Sequence, residues 1–154
     1  MLTLGWREWV GLPELGIPLI KAKVDTGART SALHAFELRS FVEHGKRRVE
    51  FKIHPHQRDK GRVIVCTADV IDERMVTDSG GHKERRWVIN TLLSMGAHSW
   101  PIELTLTARD DMLFRMLLGR TAVKDRVQID PAKSYLIGKK PPKKRPKKRP
   151  KQRL

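Results

Sequence analysis

Residues 20–35 read IKAKVDTGARTSALHA, and this stretch decides the fold. Its apolar residues alternate with polar ones up to Val24, which is the period of a β-strand. Asp25 then stands at the predicted strand end and is followed by Thr26 and Gly27. Glycine lets the backbone turn sharply and lets another chain approach closely, while a threonine hydroxyl can hydrogen-bond within the turn. The stretch therefore predicts a rigid loop that presents Asp25, with an ordinary Asp-Thr-Gly hairpin turn as the alternative.

Further segments along the chain have the composition of β-strands. Alternating or β-branched apolar runs occupy residues 48–53, 62–71, 85–93, 102–107 and 112–119. Turn-forming residues separate these runs. Strands of this length and spacing predict an all-β fold, either a small barrel or a sandwich. The residues that follow Gly119 predict one short helical turn.

The positive charge is concentrated at the C-terminus. The 154 residues include 32 Lys or Arg and 17 Asp or Glu, a net charge of +15. Residues 139–154 contain ten basic residues and no acidic ones, so residues 1–138 carry a net charge of +5. We therefore predict one domain over 1–138 and a disordered basic tail over 139–154. The tail can attach electrostatically to the ribosome or RNA, or it is a solvated segment without a specific partner.

The composition excludes several classes of protein. No apolar run approaches the roughly 18 residues of a membrane span, and the N-terminus lacks the apolar core of a secretory signal. Cys66 is the single cysteine, so an internal disulfide and a Cys-rich zinc module are excluded. Cys66 lies in an apolar run and is predicted to be buried and inert. We expect a cytoplasmic protein with no membrane partner.

Two separated motifs together resemble a known family. The DTGA sequence at 25–28 is similar to the active-site loop of aspartic proteases. The MLLGR sequence at 116–120 looks like the apolar-apolar-Gly-Arg element that packs beneath that loop in retroviral-type proteases. With RRWVINTLL and WPIELTL, the pattern resembles a bacterial family of small retropepsin-like aspartic peptidases over roughly residues 5–138. Its members carry the label ATP-dependent zinc protease and are associated with ATP-grasp ligases that add glutamates to a ribosomal protein.

The resemblance implies both a fold and a set of site residues. The implied fold is a small closed barrel of the acid-protease type with one short helix. A flap-like hairpin is expected within VTDSGGHKERR at 76–86, with a pair of glycines at its mobile tip. The implied site residues are catalytic Asp25, Thr26 and Gly27, substrate-binding Lys23, Ala28, Arg29, Gly80 and Gly81, and supporting Gly119 and Arg120.

The chain supplies half of an aspartic site. Hydrolysis at such a site needs two carboxylates that share one proton. Because the sequence contains a single Asp-Thr-Gly, the resemblance implies a homodimer in which Asp25 of each chain faces the other across a two-fold axis. Asp110 and Asp111 are a weaker alternative source of the second acid, since they stand in what reads as an ordinary turn.

Two residues near Asp25 depart from the retroviral pattern. Lys23 stands where the look-alike proteases have an apolar residue, and Arg29 stands where they usually have an acidic one. Cations beside the site attract acidic substrates, so we expect an acidic or glutamate-modified peptide, such as the tail of a ribosomal protein. The alternative is that Lys23 and Arg29 pair with carboxylates of the body, such as Glu84 or Asp69.

Metal and nucleotide chemistry have little support in the sequence. It contains no HExxH motif and no glycine-rich phosphate loop. His54 and His56 are weak candidates for metal ligands and are better explained as part of a polar loop, so we expect no cofactor. Two other functions stay open beside the aspartic endopeptidase. One is a non-catalytic module that docks on the ribosome or RNA and modulates a partner ligase, and the other is a zinc-dependent peptidase.

Overall fold

The computed structural model of the chain describes residues 1–56, 61–77, 80–108 and 113–137. The strands within them are β1 (Leu2–Leu4), β2 (Arg7–Leu12), β3 (Ile17–Val24), β4 (Ser31–His34), β5 (Phe36–Glu43), β6 (Lys46–Ile53), β7 (Ile64–Asp69), β8 (Asp72–Thr77), β9 (Lys83–Met95), β10 (His98–Thr107), β11 (Met116–Leu118) and β12 (Val127–Ile129). A 3-10 turn spans Pro13–Leu15, and the helix α1 spans Arg120–Val123. No helix in these ranges is long and apolar enough to cross a membrane. The basic tail and the predicted boundary at residue 138 lie outside the described residues.

Six strands follow one another as hydrogen-bonded neighbours in a ring, in the order β9-β10-β4-β11-β3-β2, and β8 extends it beyond β9. The ring is only partly closed, because a single residue pair, Gly11 with Ser94, joins β2 to β9. A side chain at Gly11 would meet the Pro18 carbonyl oxygen at 2.7 Å, so only glycine fits this crossing. The all-β fold with one short helix is confirmed, with strands that ring the core incompletely.

The strand β11 lies between the two strands that the Asp25 loop connects. It pairs in parallel with β3, where Leu118 is opposite Val24, and antiparallel with β4, where Leu117 is opposite Ala32. Because β3 and β4 are consecutive in the chain, residues 25–30 must cross the end of β11. This crossing brings the loop onto the segment that begins α1.

The core fills the ring and continues under a second sheet. On β3, the side chains of Ile20 and Ala22 are fully buried, and the Lys23 side chain is exposed on the opposite face of the strand. This is the alternation that the sequence pattern predicts. The second sheet, β5-β6-β7, packs its apolar face against the same core cluster. The fully buried residues of this core include Leu4, Leu12, Ile17, Leu33, Phe51, Ile53, Ile89, Leu93, Leu104 and Leu106.

Cys66 lies on the inner face of the second sheet and is buried, as predicted. Its thiol donates a hydrogen bond to the Leu15 carbonyl oxygen at 3.3 Å, which joins the second sheet to the 3-10 turn. Burial raises the pKa of the Cys66 thiol to about 12. The thiolate is the reactive form of cysteine, so Cys66 is inert in the folded chain.

The segment that follows β12 folds back along the start of the chain and is fixed by a buried carboxylate. The Glu8 side chain has no exposed surface. It accepts hydrogen bonds from the backbone N–H groups of Gly5 at 2.6 Å, Leu136 at 2.9 Å and Ile137 at 3.2 Å. One acid therefore holds two segments that are almost the whole sequence apart.

Replacing this carboxylate by an amide should destabilise the fold. Glu8→Gln removes the charge and points an NH₂ group at backbone donors, so the free energy of unfolding should fall by about 2–3 kcal/mol. The control is Glu50→Gln, because Glu50 forms an exposed ion pair with Arg39 at 3.1 Å, and should change stability by less than about 1 kcal/mol. Urea unfolding measures both, and equal losses would contradict the assigned role of Glu8.

Candidate active site

Asp25 follows β3 directly, and its loop closes on itself. The Asp25 N–H donates to the Leu118 carbonyl oxygen at 2.8 Å, and the Asp25 carbonyl accepts from the Ala28 N–H at 3.1 Å. The carboxylate oxygen Oδ1 accepts from the Gly27 N–H at 3.1 Å. A Cβ at residue 27 would lie 3.3 Å from this oxygen, which is a tight contact, so glycine at this position avoids crowding the Asp25 carboxylate. Asp25 is half-buried and held by the backbone on both sides.

Arg120 and its neighbour hold the same loop from the side of α1. The Arg120 N–H donates to the Ala28 carbonyl oxygen at 2.7 Å, and its guanidinium Nη1 donates to the Thr26 carbonyl oxygen at 2.9 Å. Thr121 donates to the Arg29 carbonyl oxygen through its N–H and its hydroxyl, both at 3.0 Å. The structure thus brings the two motifs together, although Thr26 and Arg120 are 94 positions apart in the sequence.

Gly119 lies where the loop and β11 come closest. A Cβ on Gly119 would be 2.6 Å from the carbonyl carbon of Thr30, so no other residue fits without displacing the loop. The Gly119 N–H donates to the buried Ser31 hydroxyl oxygen at 3.0 Å, and the Ser31 carbonyl accepts from the Thr105 hydroxyl at 3.0 Å. Ser31, Thr105 and Thr121 were not predicted as site residues, because their partners are distant in sequence and leave no local pattern.

Cations lie on the exposed side of the loop. Lys23 is the last outward-facing residue of β3, Arg29 belongs to the loop, and both are exposed. Within the described ranges neither side chain forms an ion pair. In the described ranges these cations do not pair with Glu84 or Asp69. Those carboxylates pair elsewhere, in the ion pairs Arg86–Glu84 at 2.8 Å and Arg48–Asp69 at 3.1 Å.

The predicted flap corresponds to the hairpin of β8 and β9. In the described part of the chain, β8 pairs with β9 alone, whereas β9 pairs with β10 only as far as Val88. Residues 72–77 and 83–87 therefore project as a two-stranded segment, called here the β8–β9 ribbon. Gly80 and Gly81 are exposed at its end, and Gly81 has a φ of +84°. Their contact with a substrate stays a prediction.

Among the described residues, His54 and His56 belong to no group of side chains that could bind a metal ion. The His54 ring stacks on Phe36 with centroids 4.4 Å apart, and its Nδ1 lies 3.3 Å from the Arg62 carbonyl oxygen. No group of three or more His, Cys, Asp or Glu side chains that could hold a metal ion occurs among the described residues. The side chains that the structure describes around His54 therefore do not make up a zinc site. Asp110 and Asp111 lie outside the described residues.

Comparison with known families gives one match over most of the chain. The RimB-like family, described as "Retropepsin-like aspartic endopeptidase RimB", matches residues 3–140. That range contains the Asp25 loop, the β8–β9 ribbon and the Gly119–Arg120 segment.

Curated relatives carry a different name. Proteins named "Probable alpha-L-glutamate ligase" are 44% identical over 135 residues in Shewanella halifaxensis, 48% over 135 residues in Desulfotalea psychrophila and 47% over 137 residues in Parasynechococcus marenigrum. The matches cover 88%, 88% and 89% of this chain. They cover only 30%, 29% and 29% of the relatives, so the chain spans less than a third of their length.

A solved structure shares the fold. A crystal structure of a Legionella pneumophila protein of unknown function superposes with a TM-score of 0.74 at 24% sequence identity. The match covers 88% of this chain and 97% of that protein. At this identity the likeness concerns the fold alone.

The close approach at Gly119 predicts a large mutational effect. Gly119→Ala should lower the free energy of unfolding by about 3 kcal/mol or more, because its Cβ overlaps the backbone at Thr30. Gly16→Ala is the control: Gly16 has a φ of +76°, and no atom lies within 4 Å of the position that a Cβ would take, so only the backbone cost of about 1–2 kcal/mol applies. Urea unfolding of both variants measures these changes. If Gly119→Ala lowers the free energy of unfolding by no more than Gly16→Ala does, the tight crossing is refuted.

Proposed function

Since the chain belongs to the RimB-like family of retropepsin-like proteins, we propose that it hydrolyses peptide bonds with Asp25 as its acid–base group. The observation that carries this proposal is the fixed loop around Asp25. Three backbone hydrogen bonds and the Gly119 contact hold a half-buried carboxylate at the end of β3. Such preorganisation is what general acid–base chemistry needs, because the group must keep its position while a proton moves.

The working unit is a homodimer. Asp25 of one chain takes a proton from water, and the protonated Asp25 of the other donates to the substrate carbonyl oxygen. The attacking water oxygen forms a bond to the carbonyl carbon. The C–N bond then breaks as the amine takes the proton that the first Asp25 removed from water, and a hydroxyl of the intermediate returns its proton to the second Asp25. Thr26 is exposed beside Asp25, where it can bind the loop of the partner, and the Gly27 and Ala28 backbone can bind the peptide. A two-fold axis through the loops brings the two carboxylates together without a second Asp-Thr-Gly in the chain.

The substrate is an acidic peptide, with glutamate-rich tails of ribosomal proteins as the natural candidates. Lys23 and Arg29 support this, because both are exposed, near Asp25 in sequence and without an ion pair in the described ranges. Side-chain carboxylates of a bound peptide would supply the missing partners. Gly80 and Gly81 at the end of the β8–β9 ribbon would cover the bound peptide.

A glutamate ligase is the proposed partner. In relatives with that name, the segment that matches this chain makes up 29–30% of the protein. The same observation favours a second candidate function, in which the chain is a non-catalytic module that modulates a ligase. The two differ in what Asp25 contributes, because docking needs no acid–base group.

Asp25→Asn separates the two functions. If Asp25 is the acid–base group, cleavage of a glutamate-rich peptide by the full chain should fall by about 10²–10⁴-fold. The matched control Asp69→Asn removes a carboxylate from the exposed Arg48 ion pair on the second sheet and should leave cleavage unchanged. EDTA should leave the wild-type rate unchanged as well. Cleavage that survives Asp25→Asn, or that EDTA stops, would refute the aspartic mechanism.

The substrate proposal predicts a change of preference. Replacing Lys23 and Arg29 by Gln should reduce the ratio of kcat/KM for a Glu-rich peptide to that for its Gln-rich analogue by about tenfold or more, the equivalent of about 1.4 kcal/mol. Lys46→Gln, at the exposed β5–β6 hairpin, is the control for net charge. A ratio unchanged by the double substitution would exclude these two cations as the source of specificity.

A further inference from the structure

Glu84 attaches the β8–β9 ribbon to the end of β10. Its carboxylate accepts hydrogen bonds from the Thr107 hydroxyl at 2.7 Å and from the Ala108 N–H at 3.1 Å. The Arg86 Nε, two residues along the same strand, donates to the same carboxylate at 2.8 Å. Burial alone would raise the pKa of Glu84, but the hydrogen bonds from Thr107, Ala108 and Arg86 outweigh it and hold the pKa below its ordinary value. The group is therefore an anion at neutral pH.

These contacts lie beyond the regular sheet. Strand β9 pairs with β10 only as far as Val88, opposite Thr105. Beyond that pair, the ribbon has no backbone hydrogen bonds to β10 in the described ranges. Side-chain contacts therefore determine the position of the ribbon relative to β10. Glu84 and Arg86 reach β10 from this part of the ribbon, and Arg74 reaches Glu103 at 2.8 Å.

Three hydrogen bonds, linked through the residues Thr105 and Ser31, connect Arg86 with Gly119. Arg86 Nη1 donates to the Thr105 hydroxyl oxygen at 3.4 Å, and that hydroxyl donates to the Ser31 carbonyl oxygen at 3.0 Å. The Ser31 hydroxyl oxygen accepts from the Gly119 N–H at 3.0 Å. Thr105 and Ser31 are at most 1% exposed, so water does not compete for these bonds.

The last member of this connection belongs to the support of the catalytic loop. Gly119 stands between Leu118, which accepts from the Asp25 N–H, and Arg120, which donates to the Ala28 and Thr26 carbonyl oxygens. A shift of Ser31 or Gly119 would therefore move the carboxylate, because the crossing at Thr30 leaves no free space. The ribbon and the loop are therefore linked through the hydrogen bonds of Thr105, Ser31 and Gly119.

We propose that Glu84 and Arg86 are positioning residues that couple the seating of the β8–β9 ribbon to the geometry of the Asp25 loop. The proposal rests on the proposed peptidase function, in which the ribbon covers the peptide. When the ribbon closes on a substrate, the Glu84 contacts to Thr107 and Ala108 tighten, and Arg86 orders Thr105, Ser31 and the Gly119 segment. Without these contacts, ribbon and loop move independently.

Hydrogen exchange of the full chain tests the coupling without any substrate. In Glu84→Gln, the amides of the ribbon and of Gly119 and Asp25 should exchange about tenfold faster than in the wild type, relative to the amides of β6 and β7. Glu73→Gln is the matched control, since Glu73 lies on the same ribbon but pairs with Arg85 of that ribbon at 3.5 Å. The coupling would be overturned if Glu84→Gln made the ribbon amides exchange faster but left the exchange rates of the Gly119 and Asp25 amides unchanged. Equal changes of exchange rate in Glu84→Gln and Glu73→Gln would overturn it as well.

A second variant interrupts the connection in its middle. Thr105→Val keeps the shape of the side chain and removes both hydroxyl contacts, so Gly119 should exchange faster while the ribbon does not. Adding Glu84→Gln to Thr105→Val should then leave Gly119 and Asp25 without further change, which is the signature of a shared path. Thr91→Val is the control, because the Thr91 hydroxyl on β9 is buried without a hydrogen-bond partner among the described residues. Fully additive effects of Glu84→Gln and Thr105→Val would contradict the path.

Peptide kinetics distinguish this proposal from the peptidase function itself. Glu84→Gln should raise KM for an acidic peptide and lower kcat, each by about three- to tenfold, whereas Asp69→Asn on the second sheet changes neither. An unchanged kcat with a raised KM would mean that the ribbon binds peptide but does not act on Asp25, which overturns the coupling. If the wild type cleaves no peptide, the peptidase function fails, and the exchange experiment still decides whether the ribbon and the loop are coupled.

Discussion

The crossing of the Asp25 loop over the end of β11 is the constraint on which the rest of the structure depends. A strand placed between two consecutive strands forces their connection to pass over it, and here the passage leaves no room for a Cβ at Gly119. The backbone of Leu118 and Arg120 then supplies the hydrogen bonds that fix Asp25 and Ala28. The position of the carboxylate follows from packing and not from its own charge interactions. The ring of strands and the short helix hold the two sides of this crossing together.

Local sequence patterns predicted the elements whose signals are local. Each of these signals is contained in a segment of at most ten residues: the alternating pattern before Asp25, the Asp-Thr-Gly turn and the apolar run before Gly119. The observed strands that match predicted runs are β3, β6, β7, β9, β10 and β11. The helical turn after Gly119 is present as α1. The placement of the second motif under the first came from the family resemblance, since nothing in either motif alone specifies that they meet.

Features that depend on distant partners were not predictable from the sequence. Glu8 is fully buried because the segment around Leu136 folds over it, and no local pattern indicates this contact. Glu84 was considered only as a partner of Lys23 or Arg29, whereas a strand pairing unknown from the sequence directs it to Thr107. The family resemblance predicted one closed barrel, whereas the second sheet packs against the 3-10 turn, where the Cys66 thiol contacts the Leu15 carbonyl oxygen. In each case long-range topology decides which groups lie close together.

The described chain contains one Asp-Thr-Gly loop, fixed in place and flanked by cations without carboxylate partners there. An aspartic mechanism needs two such loops, so the account depends on self-association more than on any single side chain. Sedimentation equilibrium of the full chain over a range of protein and salt concentrations tests this most directly. The account predicts a species of twice the 17.7 kDa chain mass that dissociates on dilution. A mass of 17.7 kDa at every concentration would contradict it.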